Sequence, residues 1–223
     1  MGQHINIPTS HTQCIGGYLA QPEGKPKGGI VVVQEIFGVT AHIRSVADRF
    51  AAAGYTAIAP AFFDHLESRL ELAYDETGLS RGRALISELG LDRPLEDVAS
   101  AAESIASSGK VGVVGYCWGG TIALLAALRL GLPAVSYYGA RNVPFLTETP
   151  KAPVMFHFGE HDASIPPEAV AQHREHLPQM ETFVYAGAGH AFNRDGDPHY
   201  HEASATLAWQ RTLAFFDRQL AGA

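Results

Sequence analysis

The residue with the clearest chemical potential is Cys117, at the centre of the sequence GYCWGG. An apolar run precedes this cysteine, a glycine stands two residues to either side of it, and the apolar run TIALLAAL follows. A nucleophile placed between a strand and a helix sits on a strained turn, and small neighbours relieve the crowding around it. The pattern therefore predicts a nucleophile elbow in which cysteine stands where many esterases carry serine.

Cys117 could instead be a small buried hydrophobic residue, with the glycines serving only to pack a helix closely on a sheet. Two later residues favour catalysis, because a thiol nucleophile needs a base and the base needs an orienting acid. Asp162 follows the apolar run APVMFHFG, and His190 follows ETFVYA. Since nucleophile, acid and histidine then occur in the chain order expected after such an elbow, we predict that Cys117, Asp162 and His190 form a catalytic triad.

A fourth candidate, Glu35, lies in GGIVVVQEIFGV at the carboxyl end of the first core strand. The loop that supplies an oxyanion hole is expected to begin there. A carboxylate at this point could be a surface residue, but its neighbours are almost all apolar. A charge beside the nucleophile would perturb the ionisation of the nucleophile.

The elements that must position these side chains alternate along the chain. An early strand precedes a turn-rich connector at 21–29, and near-continuous apolar or β-branched runs predict strands at 28–33, 56–60, 110–115, 134–139, 152–159 and 181–186. Amphipathic or apolar segments predict helices at 40–53, 93–108, 119–130, 167–177 and 200–220. Apolar strands of this kind are covered on both faces, so we predict one α/β domain over residues 1–223, with a mostly parallel sheet and helices on both faces.

Local signals suggest where several helices begin and end. Gly54, Gly109 and Gly131 are predicted to end three of them in the left-handed conformation that glycine adopts most easily. Asp92, two residues before Pro94, is predicted to be an N-cap. Residues 61–91 contain no clean strand, and they are compatible either with a cap over the site or with a solvated helix and connection.

Composition limits the possible partners. A formal net charge of −7 leaves no basic patch for nucleic acid. No apolar run approaches the roughly 20 residues of a membrane span, and the N-terminus lacks the features of a signal peptide, so a cytoplasmic location is expected. Two cysteines and 11 scattered histidines, without HExxH or CxxC, predict no disulfide framework, metal site or other cofactor.

At these motifs the sequence resembles the dienelactone hydrolase (carboxymethylenebutenolidase) family of the α/β-hydrolase superfamily. The matching segments QEIFGV, GYCWGG, FGEHDASIPPE, GAGHAFNR and YHEASATLAWQRTLAFF extend over almost the whole chain. The resemblance implies a carboxylic-ester hydrolase with an α/β-hydrolase fold and no cofactor, of the kind used in aromatic catabolism.

The resemblance also implies a role for each catalytic candidate. Cys117 would be the nucleophile, His190 the base and then the acid, and Asp162 the residue that orients the histidine. Glu35 would bind the resting thiol and help to generate the thiolate when substrate displaces it.

Further residues would bind the substrate, according to the same resemblance. The backbone N–H groups of Ile36 and Trp118 would form the oxyanion hole. Two arginines would bind a substrate carboxylate: Arg194 is the clear candidate for one, and for the other Arg81 is preferred over Arg69 and Arg83. The apolar part of the pocket would be lined by Phe37, Trp118 and Tyr138, although Tyr138 could equally belong to the core.

The expected reaction is hydrolysis of an activated lactone, of the dienelactone to maleylacetate type, or of a small ester through a cysteinyl acyl-enzyme. The alternative is a broad-specificity carboxylesterase or thioesterase on the same scaffold. A non-catalytic binding protein would require the triad to be misplaced. The expected partner is a small lactone or ester bearing a carboxylate, with neither nucleic acid nor membrane, and a monomer is favoured over an obligate oligomer.

Overall fold

The computed structural model describes residues 2–10 and 14–221. The strands in this part of the chain are β1 (Gln3–Ile7), β2 (Ile15–Ala20), β3 (Gly29–Val33), β4 (Thr56–Pro60), β5 (Val111–Tyr116), β6 (Ala134–Tyr137), β7 (Val154–Gly159) and β8 (Glu181–Tyr185). The α-helices are α1 (Ala41–Ala52), α2 (Glu76–Leu89), α3 (Asp92–Ser104), α4 (Trp118–Leu125), α5 (Pro167–His176) and α6 (Glu202–Leu220). The six predicted core strands and the five predicted helices are all present.

The chain divides into two compact units, Met1–Val113 with Leu220–Ala223, and Val114–Gln219. Strand β5 begins in the first unit and ends in the second. A single domain over residues 1–223 remains a prediction.

In the first unit the strand order is β1-β2-β4-β3. The pairs β1–β2 and β2–β4 are antiparallel, whereas β3 and β4 are parallel. Every residue of β3 and β4 is buried, as their apolar sequences predict. Strand β1 was not predicted, because its sequence, QHINI, is half polar. Such a sequence suits its position at the end of the strand order, where it pairs with β2.

Helix α1 follows β3 after a loop of seven residues. Thr40 is its N-cap, with the side-chain oxygen accepting a hydrogen bond from the backbone N–H of Ile43. The helix buries Ile43, Val46, Ala47 and Phe50, at the spacing of one helical face.

The region 61–91 contains a 3₁₀ turn (Phe62–His65) and helix α2. Asp75 caps α2 by accepting a hydrogen bond of 2.7 Å from the backbone N–H of Gly78. The structure therefore contains the helix and connection of one interpretation of this region. A capping role over the site remains a prediction.

Helix α3 corrects two details of the sequence analysis. Its N-cap is Leu91, so the prediction of Asp92 as N-cap was wrong. Helix α2 ends only three residues earlier, and Asp92 is already helical, where its charge still favours the helix N-terminus. The helix also ends at Ser104 rather than at 108, because the last predicted turn is a separate 3₁₀ turn before Gly109.

In the second unit the strand order is β5-β6-β7-β8, and the pairs β6–β7 and β7–β8 are parallel. Helix α4 continues as a π-helical turn (Ala126–Leu130) that ends at Gly131. Gly131 has φ 73° and ψ 26°, which confirms the predicted left-handed helix end at this glycine. Gly54 and Gly109 also have positive φ, but Gly109 has ψ −153° and is not left-handed helical.

None of the helices within residues 2–10 and 14–221 combines the length and the apolar character needed to cross a membrane.

Candidate active site

Strand β5, the turn at Cys117 and helix α4 form the predicted elbow. All six residues of β5 are buried, and α4 begins at Trp118, directly after the cysteine. Cys117 has φ 55° and ψ −118°, a strained conformation for a residue with a side chain. Its backbone N–H donates a hydrogen bond of 3.0 Å to the carbonyl of Tyr137 at the end of β6. These features expose the thiol on a fixed turn.

The glycines of the elbow are required by close backbone approach. A Cβ atom on Gly115 would overlap the backbone of Gly119 and Gly120. A Cβ atom on Gly120 would lie 2.7 Å from the carbonyl oxygen of Tyr137. The turn therefore cannot form in this geometry with larger residues at 115 or 120.

The structure brings together the side chains of Cys117, Asp162 and His190, all within the second unit. Nε2 of His190 lies 3.2 Å from Sγ of Cys117, and Nδ1 of His190 lies 2.7 Å from Oδ2 of Asp162. The other carboxylate oxygen of Asp162 accepts a hydrogen bond of 2.9 Å from the backbone N–H of Ser164. The carboxylate is thus held in place, and the imidazole bridges it to the thiol.

The environment of His190 favours its charged form. Burial lowers the pKa of this imidazole, but the hydrogen bonds to Asp162 and Cys117 and the negative charges on both residues outweigh burial and raise the pKa to about 10. At neutral pH the ring is then an imidazolium.

Strained backbone continues around the imidazole. Tyr138 has φ 40° and Ala191, directly after His190, has φ 61°. The ring of Tyr138 is buried, with its centroid 5.1 Å from that of His190 and 5.4 Å from that of Phe192. Tyr138 therefore supports one side of the imidazole, whereas its predicted contact with substrate remains a prediction.

A buried polar network that the sequence analysis missed holds the loop after β6 against α4. Thr121 on α4 donates a hydrogen bond of 2.9 Å to the side-chain oxygen of Asn142. The amide nitrogen of Asn142 donates in turn to Nε2 of His173 at 3.1 Å, and Nδ1 of His173 donates to the carbonyl of Ala169 at 2.7 Å. Burial lowers the pKa of His173, in keeping with the neutral ring that this arrangement requires.

A second buried network surrounds His157 on β7. Nδ1 of this imidazole lies 2.8 Å from the hydroxyl of Tyr185, and Nε2 lies 3.1 Å from the hydroxyl of Thr212. Arg211 donates a hydrogen bond of 3.2 Å to the Tyr185 hydroxyl, so the tyrosine donates its own proton to His157. Complete burial, with a smaller contribution from the charge of Arg211, lowers the pKa of His157 to about 3.

The predicted residues Glu35, Ile36 and Phe37 lie in the first unit, in the loop that follows β3. All three are buried, and Glu35 has no exposed surface. A Cβ atom on Gly82 of α2 would overlap the carbonyl of Ile36, so this helix packs directly on the loop. The loop is therefore fixed, while the roles predicted for its three residues remain predictions.

The candidate arginines differ strongly in their surroundings. Arg194, in the second unit, is buried, and its Nη1 donates a hydrogen bond of 3.0 Å to Oδ2 of Asp197. Arg81, in the first unit, is exposed and pairs with Glu67 at 3.0 Å. Arg69 and Arg83 are also exposed.

Neither metal binding nor a disulfide is indicated in the part of the chain that the structure describes. Residues 2–10 and 14–221 contain no cluster of three or more His, Cys, Asp or Glu side chains that could hold a metal ion. Cys14 and Cys117 are both free thiols, the first exposed and the second half-buried.

Comparison with known proteins adds a family assignment. The profile of the dienelactone hydrolase family matches residues 15–220. A Salmonella typhimurium protein provisionally named a carboxymethylenebutenolidase is 39% identical over 204 residues, which cover 84% of this chain and 76% of that protein. Carboxymethylenebutenolidase 1 of Cupriavidus pinatubonensis is 31% identical over 212 residues, which cover 89% of each chain.

A solved structure agrees with this assignment. A Klebsiella pneumoniae protein provisionally described as a dienelactone hydrolase has a TM-score of 0.86 and 33% sequence identity, covering 97% of this chain and 98% of that one. The predicted fold class, an α/β-hydrolase fold with mostly parallel strands, is confirmed by this likeness.

Proposed function

Because this chain belongs to the dienelactone hydrolase family and is a carboxylic-ester hydrolase, we propose that it cleaves its substrate through an acyl-enzyme on Cys117. The observation that carries the proposal is the 3.2 Å approach of His190 Nε2 to the thiol, with Nδ1 of the same ring on Asp162. This is the arrangement in which a base is oriented by an acid and activates a nucleophile.

In the first half-reaction, the thiolate of Cys117 attacks the carbonyl carbon of the lactone or ester. The carbonyl oxygen becomes an oxyanion, which the backbone N–H groups of Ile36 and Trp118 stabilise. The bond to the leaving oxygen then breaks, and the imidazolium of His190 donates its proton to that oxygen. The products of this step are a thioester on Cys117 and a neutral imidazole. In a lactone the leaving oxygen remains attached to the acyl group.

In the second half-reaction, neutral His190 takes a proton from water, and the resulting hydroxide attacks the thioester. Collapse of the tetrahedral intermediate expels the thiolate of Cys117 and releases a carboxylic acid. The imidazolium is regenerated, and Asp162 stabilises its charge throughout. One water is consumed and one acyl–oxygen bond is cleaved in each cycle.

The preferred substrate in this proposal is an activated lactone of the dienelactone type, which would yield maleylacetate or a related product. Such a lactone has a stable enolate as leaving group, so it needs less assistance than an amide would. Glu35 would bind the resting thiol, while Arg194 and Arg81 would bind the substrate carboxylate. Phe37, Trp118 and Tyr138 would line the apolar side.

The alternative is a broad-specificity carboxylesterase or thioesterase. One observation favours it: Arg194, the clearest candidate for binding a substrate carboxylate, is already paired with Asp197 inside the protein. Turnover of cis- and trans-dienelactone, measured beside a neutral p-nitrophenyl ester, separates the two candidates. Faster turnover of the lactones supports the preferred substrate, and faster turnover of the neutral ester supports the alternative.

The covalent step is tested by trapping the acyl-enzyme. The variant Cys14→Ser removes the exposed second thiol, so that any acyl group on sulfur must lie on Cys117. Rapid acid quenching followed by intact-mass and peptide analysis should then show one acyl group on residue 117. Addition of Cys117→Ala should abolish both the adduct and turnover.

Two outcomes would contradict the mechanism. One is turnover that survives in Cys117→Ala, and the other is an acyl group that maps to a different residue. Cys117→Ser provides a further comparison, because a serine hydroxyl is far less acidic than a thiol. We expect its turnover of lactones to fall steeply.

A further inference from the structure

The side chain of Asp197 forms an ion pair with the guanidinium of Arg194, to which the proposed substrate carboxylate would bind. We propose that Asp197 is a specificity-determining residue, which competes with a substrate carboxylate for Arg194 and thereby lowers the preference of the site for carboxylated over uncharged esters. This inference rests on the proposed function, in which Arg194 contacts the substrate.

The pair is part of the protein before any substrate arrives. Nη1 of Arg194 donates to Oδ2 of Asp197 at 3.0 Å, and each side chain is only 8% exposed. Solvent therefore screens this pair much less than a surface ion pair. The negative charge of Asp197 weakens the attraction that Arg194 exerts on a second carboxylate.

The turn after His190 fixes the distance between the two side chains. The backbone N–H of Arg194 donates to the carbonyl of Ala191 at 2.9 Å, and Gly196 has φ 73°, which turns the chain back. Asp197 and Arg194 are three residues apart, so no distant element has to move for them to pair. A substrate carboxylate must therefore displace Asp197 from Arg194 or share the guanidinium with it. Asp197 cannot move far away, because it belongs to the same loop as Arg194.

The second carboxylate oxygen of Asp197, Oδ1, is held by His199. Oδ1 accepts a hydrogen bond of 2.9 Å from the backbone N–H of His199, and Nδ1 of the same histidine lies 2.6 Å away. Burial raises the pKa of Asp197, but the hydrogen bonds to His199 and Arg194 outweigh burial and lower it. The carboxylate thus stays ionised at neutral pH and remains aimed at Arg194.

Asp197 could instead only shape the turn. The variant Asp197→Asn separates this possibility from competition. An asparagine keeps an oxygen for the N–H of His199, so the turn retains its hydrogen bond, but it removes the negative charge from Arg194. A purely structural role predicts equal effects on charged and neutral substrates, whereas competition predicts an effect on the carboxylated substrate alone.

The experiment compares p-nitrophenyl hydrogen succinate, which carries a free carboxylate, with its neutral methyl ester. In Asp197→Asn we expect KM for the carboxylated ester to fall about tenfold, which corresponds to the loss of one competing charge. The values of kcat and KM for the neutral ester should stay within about twofold of wild type. The control, Glu202→Gln, removes a negative charge from an exposed position at the start of α6, five residues after Asp197, and should not change the ratio.

A double-mutant cycle assigns the effect to Arg194. In the Arg194→Ala background, Asp197→Asn should no longer change the preference between the two esters. If Asp197→Asn changes both esters equally, or lowers the relative turnover of the carboxylated one, competition at Arg194 is ruled out.

Binding measured without turnover keeps the inference separate from the covalent mechanism. On the Cys117→Ala background, calorimetry can compare the monoanilide of succinic acid with its methyl ester. Asp197→Asn should tighten binding of the acid only. If Asp197→Asn does not tighten binding of the acid selectively, the inference is overturned, even if the acyl-enzyme is found. If binding of the acid is tightened selectively but no acyl-enzyme forms, the mechanism is overturned instead.

Discussion

The carboxylate of Asp162 accepts a hydrogen bond of 2.7 Å from Nδ1 of His190, and this contact helps to keep the imidazole charged. In the proposed mechanism, the proton needed by the leaving oxygen is therefore present on the ring before the first bond breaks. The pH dependence of the reaction should follow the ionisation of this ring.

Asp162→Asn should lower kcat/KM by about 100- to 10,000-fold, because an amide neither stabilises the imidazolium nor fixes the ring tautomer. The pKa of His190 should fall without the carboxylate, so the alkaline decline in kcat/KM should move to lower pH. Measurement of kcat/KM against pH tests both effects. Glu168→Gln, which removes an exposed carboxylate at the start of α5, should leave the profile unchanged. An unchanged alkaline limb in Asp162→Asn would contradict the assignment.

The backbone strain at Cys117 should be visible in the free energy of unfolding of substituted proteins. At most positions alanine is more stable than glycine by about 0.5–1 kcal/mol, because glycine loses more entropy on folding. At φ 55° the order should reverse, and we expect Cys117→Gly to exceed Cys117→Ala by about 1 kcal/mol or more in the free energy of unfolding. Urea unfolding followed by circular dichroism measures both variants. The same two substitutions at Cys14, where φ is not positive, should show the usual order.

The close approach inside the elbow predicts a large effect for one added methyl group. Gly115→Ala places a Cβ atom into the backbone of Gly119, so we expect a loss of about 3 kcal/mol or more in the free energy of unfolding, together with loss of activity. Gly189→Ala, directly before His190, is the matched control. Its Cβ atom would meet only the carbonyl of His161, at 3.8 Å, and the stability should change by less than about 0.5 kcal/mol. Equal urea midpoints for the two variants would contradict the close approach.

The buried ring of His157 should make the fold sensitive to acid. Its pKa of about 3 in the folded state lies below the ordinary value of about 6.5, so the unfolded chain binds a proton first as the pH falls. This residue therefore reduces stability progressively below about pH 6.5, by about 2 kcal/mol at about pH 5. His157→Gln should be less stable at neutral pH but should lose about 2 kcal/mol less than wild type between about pH 8 and about pH 5.

Urea unfolding at the two pH values measures this difference. His161→Gln removes an imidazole that is 69% exposed, and it should leave the pH dependence of wild type unchanged. If His157→Gln loses as much stability as wild type on acidification, the ring is not the group responsible.

The buried strands and the elbow could be predicted because their sequences carry the signal directly. Strands β3 and β4 are almost entirely apolar, and Gly115 has a steric cause within the turn itself, the backbone of Gly119. A helix was only one of two interpretations of residues 61–91, because two of the buried positions of α2 are Gly78 and Gly82, which contribute no apolar side chain to a helical pattern.

The polar contacts around the candidate site could not be predicted for a different reason. Asn142 and His173 are ordinary polar residues in the sequence, and their pairing depends on how the loop after β6 meets α5. The pairing of Arg194 with Asp197 likewise depends on the positive φ of Gly196. In each case the spacing of the two residues is compatible with many conformations, and tertiary structure selects one.

The chain separation between Cys117 and His190 also bears on synthesis. Cys117, the proposed nucleophile, precedes His190, the proposed base, by 73 residues, so it leaves the ribosome about 4 to 15 seconds earlier, at translation rates of about 5–20 residues per second. During this interval Cys117 belongs to an incomplete chain that does not yet contain the imidazole of His190. Under the proposed mechanism, the sulfur of the nascent chain is therefore not activated until the segment that carries the imidazole has been made and can fold against it.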